Sequence, residues 1–396
     1  MTGQFDLFKF LYEIKYAALL LALFILPRVL MRFKIPTAVT SVAIGIIAGM
    51  GFEIFRNDSA IKLLATLGIV SIFLFAGLEV EFKELKRIKR QITIHLLFCV
   101  TALAGVAAIV CWITDIETCP GILVALALMT PSAGFILDSL ATLKVNENER
   151  FWIKSKSIAG ELLALAVLFI TVHSHSIAWL SISIVLLATL IFMLPVMFRV
   201  FTKHVVPYSP KSMFAFLIVL AVVSASVTRQ LGAYYLVGAF VVGLVARQFR
   251  HQVLDLNFEK TLHAVESFAS VFIPFYFFRV GLNLKESNFS WMALLFASGF
   301  ALVIPLRIAV IALHRRLLLL EPLVNGARIG TFLTPTLIFT LVIAEILRDQ
   351  FNASEAFVGG LTIYALLTTI VPVIALHAPP PDFAEPHISH VSDYNT

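Results

Sequence analysis

"ALMTPSAGFIL", residues 127–137, and "TFLTPTLIFTL", residues 331–341, each set a Thr-Pro pair in the middle of a long apolar run. Proline removes a backbone donor and clashes with the preceding turn, so each pair interrupts a helix. Thr130-Pro131 and Thr334-Pro335 stand 204 residues apart. A second landmark repeats at that spacing: "IFLFAGLEVEF" (72–82) overlies "FYFFRVGLNLKE" (275–286) when Gly77 is matched to Gly281. Two independent landmarks at one offset mark an internal repeat. Both halves of the repeat thus break a helix at the same dipeptide.

Composition supplies the setting. Of 396 residues, 60% are hydrophobic and 14% charged, against about a quarter charged in an average soluble domain. This is the composition of a polytopic all-α membrane protein. Apolar runs of about twenty residues, enough to cross roughly 30 Å of hydrocarbon, recur along the chain. About thirteen transmembrane helices are expected, at 16–33, 37–55, 60–80, 92–113, 120–143, 151–172, 176–199, 211–229, 233–248, 264–284, 290–313, 323–347 and 355–376. The first run lacks a small-residue cleavage site and reads as a span, not a removable signal. The membrane part covers 1–378, and the Pro-rich polar tail 379–396 reads as disordered. Basic residues collect in the loops after odd-numbered spans: Arg28, Arg32 and Lys34, then Lys83 to Arg90, then Lys144 to Lys156. The positive-inside bias puts those loops and the C-terminus in the cytoplasm and the N-terminus outside, in a plasma membrane, with a bacterial inner membrane as the expected case. The net charge of +6 therefore reports orientation and not nucleic-acid binding.

The 204-residue offset equals seven spans, and because seven is odd the repeats are inverted. Unpaired backbone at membrane depth is tolerated only inside protein or around a water-filled cavity. Paired interrupted helices in an inverted repeat point to the central site of a secondary transporter. Pro131 and Pro335 are thus expected to mark that site, with Thr130, Ser132 and Thr334 beside them.

Most charges lie at span ends, but Glu161 in "SKSIAGELLALAVLFI" (155–170) lies midway along its helix, where a charge costs about 2.5–3.5 kcal/mol on insertion scales. It is expected to line a cavity or meet a partner, with Ser157 one turn earlier on the same face. Arg279 in "FIPFYFFRVGLNL" (272–284) is the second expected buried charge; it needs an anion, a helix C-terminus or water, and Glu161 is its leading partner. Arg307 is expected to snorkel toward the cytoplasm. Glu79 and Glu81 read as solvated. Asp138 could draw cations into an inner vestibule or simply cap a loop. His95, His173 and His175 have no ligand spacing, and Cys99, Cys111 and Cys119 read as inert packing, so no resident metal or cofactor is expected. Thr130, Ser132, Ser157 and freed carbonyls could add oxygen ligands of the kind small cations prefer. One carboxylate holding either a proton or a monovalent cation, and never facing both sides at once, suffices for antiport; nothing here suggests an enzyme.

The chain resembles the cation:proton antiporter family 2. The resemblance rests on "LGIVSIFLFAGLEVEFKELKR" (67–87), similar to a family helix ending in AGLE, and on "TPSAGFILDSLATLKV" (130–145) in the place of its first crossed helix. "LVGAFVVGLVARQFRHQ" (236–252) and "FFRVGLNL" (277–284) are similar to its GAFxAG and FFxxVG segments. The resemblance implies a sodium/proton antiporter fold with two crossed discontinuous helices. It also implies a homodimer with a scaffold and a moving core, here about 60–172 and 264–376, working as an elevator. It gives Glu161 the ion-binding role, although Gly160-Glu161 stands where the family has a polar residue followed by aspartate; the missing polar group suggests electroneutral exchange of sodium or potassium for one proton. Arg279 resembles the basic residue that stabilises the site. Two other readings stay open: a degenerate antiporter domain serving as a sensor or structural subunit, and a sodium-coupled symporter for an organic anion bound by Arg279.

Overall fold

A computed structural model describes residues 7–140, 145–174, 176–209, 211–231, 234–249 and 255–380. The described chain is helical: α1 (Leu7–Leu30), α2 (Thr37–Ile46), α3 (Ser59–Leu78), α4 (Phe82–Arg87), α5 (Lys89–Thr114), α6 (Thr118–Met129), α7 (Ala133–Leu140), α8 (Glu147–His173) and α9 (Ile177–His204) come first. They are followed by α10 (Ser212–Gln230), α11 (Tyr234–Gln248), α12 (Asp255–Leu282), α13 (Trp291–Ala301), α14 (Val303–Leu318), α15 (Leu323–Phe332), α16 (Leu337–Phe351) and α17 (Glu355–Ala375). Ten helices among the described residues are long and apolar enough to cross a membrane, and the bent pair α15–α16 makes up to eleven. Two shorter apolar helices, Thr37–Gly51 and Tyr235–Gln248, occupy the second and ninth expected spans. Large apolar side chains such as Trp112, Ile177 and Phe192 are more than three-quarters or two-thirds exposed, as lipid-facing residues are, because hydrocarbon is as apolar as they are.

The helices pack in two groups. In one, α3 and α12 lie against each other, with α2 on α12 and α10 and α11 on α3. In the other, α6 contacts α5, α8 and α16, while α14 contacts α5 and α15, and α17 contacts α13 and α16. α3 and α12, which fall within the expected core of 60–172 and 264–376, pack chiefly with the first group. Glycines explain why. A Cβ on Gly77 would lie 2.2 Å from the Phe240 carbonyl oxygen, and one on Gly243 would lie 2.1 Å from that of Leu74. The α3–α11 backbones touch only because neither residue has a side chain. Gly281 and Gly45 make the same contact between α12 and α2, at 2.1 Å from Val42 O and 2.0 Å from Phe278 O. Gly77 and Gly281 are the repeat landmarks, and each packs on a glycine from the opposite half. Such an exchange of partners is what a two-fold relation between the halves requires.

Candidate functional site

Both Thr-Pro pairs interrupt their helices: α6 stops at Met129 and α7 starts at Ala133, while α15 stops at Phe332 and α16 starts at Leu337, with a 56° bend between them. The two breaks meet in the interior. The Ser132 N–H donates to the Pro335 carbonyl at 2.9 Å, the Ser132 hydroxyl accepts from the Phe339 N–H at 3.2 Å, and the Thr340 hydroxyl donates to the Ala127 carbonyl at 2.6 Å. Thr130, Ser132, Thr334 and Thr336 are all buried. Backbone groups freed in one break are thus satisfied by the other, as burial demands.

Four half-helix ends converge here, and the charges match their dipoles. Glu161 is 3% exposed, and its Oε2 accepts the N–H of Ala133, the first residue of α7, at 3.0 Å. A carboxylate at a helix N-terminus sits at the positive end of the macrodipole. Its helix, α8, comes close to the break because Gly160 precedes it: a Cβ there would stand 3.2 and 3.3 Å from the Pro131 ring. No side chain stands in the position before the carboxylate, and the proline ring takes that space.

The opposite charge is Arg307. Its guanidinium donates to the carbonyls of Thr334 at 2.6 Å and Leu333 at 2.7 Å, covering the negative end of α15. It also reaches the Tyr364 hydroxyl at 3.5 Å, and that hydroxyl donates to the Leu128 carbonyl at the end of α6, at 2.7 Å. Arg307 is 4% exposed, so the expected snorkelling does not occur. Five fixed donors on a planar cation suit it to two adjacent carbonyls. Its sequence context, "LVIPLRIAVIALHRR", looks like a helix end, and nothing in it signals that another helix's break lies alongside.

Arg279 lies elsewhere. It makes no ion pair with Glu161 among the described residues; instead it lines a cavity of about 340 Å³ with Lys62, Arg229, Asn283, Glu345 and Asp349. Ser157 is fully buried one turn before Glu161, but its hydroxyl donates back to the Lys154 carbonyl at 3.0 Å. The side chain of Asp138, His175 and the tail from 381 lie outside the described residues. No cluster of metal-ligating side chains occurs among the described residues. His95 instead lies edge-on to His314, at 5.1 Å between ring centroids. His314 Nε2 donates to the Gln91 carbonyl at 3.1 Å, leaving Nδ1 to accept from the buried Lys156 ammonium at 2.9 Å. Lys156 lies in a basic cluster of the sequence and gave no signal of burial there.

The arrangement holds one buried carboxylate at a dipole end, beside interrupted backbone. Such a group can bind a proton or a small cation, one at a time.

Known proteins share this architecture. The chain is 27% identical over 394 residues to the probable Na(+)/H(+) antiporter 3 of Methanocaldococcus jannaschii, covering 92% of this chain and 96% of that protein. It is 26% identical over 383 residues to the Na(+)/H(+) antiporter NhaS5 of Synechocystis, covering 90% of this chain and 53% of the relative. Its fold matches the structure of the sodium proton antiporter MjNhaP1 from Methanocaldococcus jannaschii with a TM-score of 0.67 at 14% identity, over 93% of this chain and 96% of that one. The model of the family described as "Sodium/hydrogen exchanger, transmembrane" matches residues 18–379. Spanning nearly all of the apolar helices and both interrupted ones, that match shows that the chain belongs to the transmembrane sodium/hydrogen exchanger family.

Proposed function

We propose that this chain is a sodium:proton antiporter in which Glu161 holds either a proton or a sodium ion. The observation that carries the reading is the buried Glu161 carboxylate at the N-terminus of α7, beside the paired breaks. Sodium as the cation is supported by the activities named for the similar proteins. Thr130 and Ser132, in the interruption whose following helix that carboxylate caps, are the proposed oxygen donors, with Ser157 available if its hydroxyl turns away from Lys154. Pro131, Pro335 and Thr334 keep the backbone open, and Arg307 holds the ends of α15 and α6. Arg279, which lines the cavity, marks the proposed approach to the site.

Exchange follows from competition: a carboxylate that binds one monovalent cation at a time carries sodium one way and a proton the other. One carboxylate with no charged partner in ion-pair range among the described residues supports electroneutral, one-for-one exchange. We further propose inverted repeats with crossed interrupted helices, a core of α5–α8 and α13–α17 that moves as an elevator against a scaffold of α1–α3 and α10–α12, and a homodimer through the scaffold. The chain is placed in a plasma membrane with its basic loops and C-terminus cytoplasmic.

The test is cation-driven proton movement in proteoliposomes with sodium, potassium and lithium in turn, across about pH 6 to 9, wild type beside Glu161→Gln. Exchange lost in the variant supports the reading, and the ion series names the cation. A silent wild type overturns antiport and leaves the sensor reading; persistent exchange in the variant moves the carrier to another residue.

A further inference from the structure

Glu79 and Glu81, at the end of α3, read from sequence as solvated charges, yet they bridge the two helix groups. Lys154, on α8, lies 3.1 Å from Glu79 and 3.8 Å from Glu81. Arg247, at the end of α11, pairs with Glu81 from the other side. Two acids of the first group are thus held between a base from their own group and a base from the group that carries Glu161. Lys154 stands seven residues before Glu161 on α8, about 10 Å along the helix, so its tether constrains the element that bears the ion-binding carboxylate.

At the other end of α3 a cavity separates α16 from the first group. The cavity of about 340 Å³ is walled by Lys62 and Thr66 of α3, Arg229 of α10 and Arg279 of α12, and across from them by Glu345 and Asp349 of α16. Lys62 and Glu79 are seventeen residues apart on one helix, about 25 Å. That is close to the full thickness of the hydrocarbon core. The molecule therefore holds a cavity between α16 and the first group at one membrane face, where α8 still meets α10 through His173 and the Leu231 carbonyl, while at the opposite face α8 is tied to the end of α3 by ion pairs. The tied face carries the basic loops.

We propose that Lys154, Glu79, Glu81 and Arg247 form the gate that shuts the cytoplasmic side, and that the chain is seen here open to the outside. The inference rests on the alternating-access reading above and on cytoplasmic basic loops. For a core to carry Glu161 inward, α8 must leave the end of α3, and these ion pairs are what it must break. The pairs are only partly buried, with side chains 12–33% exposed. Exposed pairs are each worth about 1 kcal/mol or less, so the gate biases two states without locking either.

The test uses the full chain in lipid vesicles, with Cys99, Cys111 and Cys119 replaced by Ala and a reporter introduced by Thr66→Cys in the cavity. A membrane-impermeant maleimide is applied from outside. Lys154→Gln is expected to lower the labelling rate about three- to fivefold as the population leaves the outward-open state, and the swapped pair Glu79→Lys with Lys154→Glu is expected to restore it. Separately, joining Glu79→Cys to Lys154→Cys with a short bifunctional methanethiosulfonate, long enough to replace the two side chains, is expected to stop exchange until reductant is added. Labelling that Lys154→Gln leaves unchanged, or exchange as fast in the cross-linked as in the reduced protein, overturns the gate. If no protein in the series exchanges sodium for protons, the antiport reading fails, and the labelling rates still decide the gate.

Discussion

The Ser132 N–H donates to the Pro335 carbonyl across 2.9 Å, so that each of two helix breaks 204 residues apart supplies what the other lacks. Ser132 does so twice, since its hydroxyl also accepts from Phe339. Ser132→Ala removes only the second bond and leaves a buried N–H unsatisfied. The expected cost is about 1–3 kcal/mol, read as a lower melting temperature in detergent, with slower exchange because the break no longer has one fixed geometry.

Glu161→Gln keeps an acceptor for the Ala133 N–H but cannot carry charge. Thermal stability is expected to stay within about 1 kcal/mol of wild type while exchange disappears. Loss of folding together with activity would show that the carboxylate is structural and not a carrier.

Arg307→Met leaves the Leu333 and Thr334 carbonyls without their donor in a buried site. A loss of about 3–5 kcal/mol is expected, because a buried charged hydrogen-bond network loses its centre. Arg307→Lys is expected to recover only part, since one ammonium lacks the fork that serves two carbonyls at once. Denaturation of the three proteins side by side checks the order.

Two glycine substitutions separate ring contact from backbone contact. Gly160→Ala presses on the edge of the Pro131 ring at 3.2 Å, whereas Gly77→Ala drives a methyl to 2.2 Å from the Phe240 backbone oxygen. The first is expected to cost about 1 kcal/mol or slightly more, and the second at least about 3 kcal/mol, because α3 and α11 must move apart bodily. Equal melting temperatures for the two variants would refute the close packing of α3 on α11.

Asp58 caps α3 outside the membrane, accepting from the Ala60 and Ile61 N–H groups and from Tyr16. Partial burial pushes its pKa up, but the Tyr16, Ile61 and Ala60 hydrogen bonds and the Lys15 charge outweigh it and hold the carboxyl below its ordinary value of 3.8. A depressed native pKa gives stability that is present above the unfolded value and is lost as pH falls through the native one. The melting-temperature gap between wild type and Asp58→Asn is therefore expected to be constant near neutrality and to close only in acid below 3.8.

Much of this was legible in the chain itself. Hydropathy alone requires a helical membrane protein, because only satisfied backbone crosses hydrocarbon. The two Thr-Pro pairs located both breaks, and the lack of any polar neighbour C-terminal to Glu161 marked it as a charge requiring explanation. What local sequence could not decide is which prolines break a helix. Pro27, Pro195, Pro274 and Pro372 lie within continuous helices, while Pro131 and Pro335 end theirs. The difference is that the freed groups beside the latter two find Ser132, Arg307, Tyr364 and Glu161 from distant segments. Pairing of charges was hidden for the same reason. Arg279 looked like the partner of Glu161 and Arg307 like a residue bound for the interface, yet only the packing of α14 against α15 puts Arg307 on the break and leaves Arg279 in the cavity. Sequence thus determines that a buried charge must be compensated, since the cost of leaving it bare is set by the bilayer. Tertiary structure decides by what, since compensation acts over a few ångströms that chain distance does not measure.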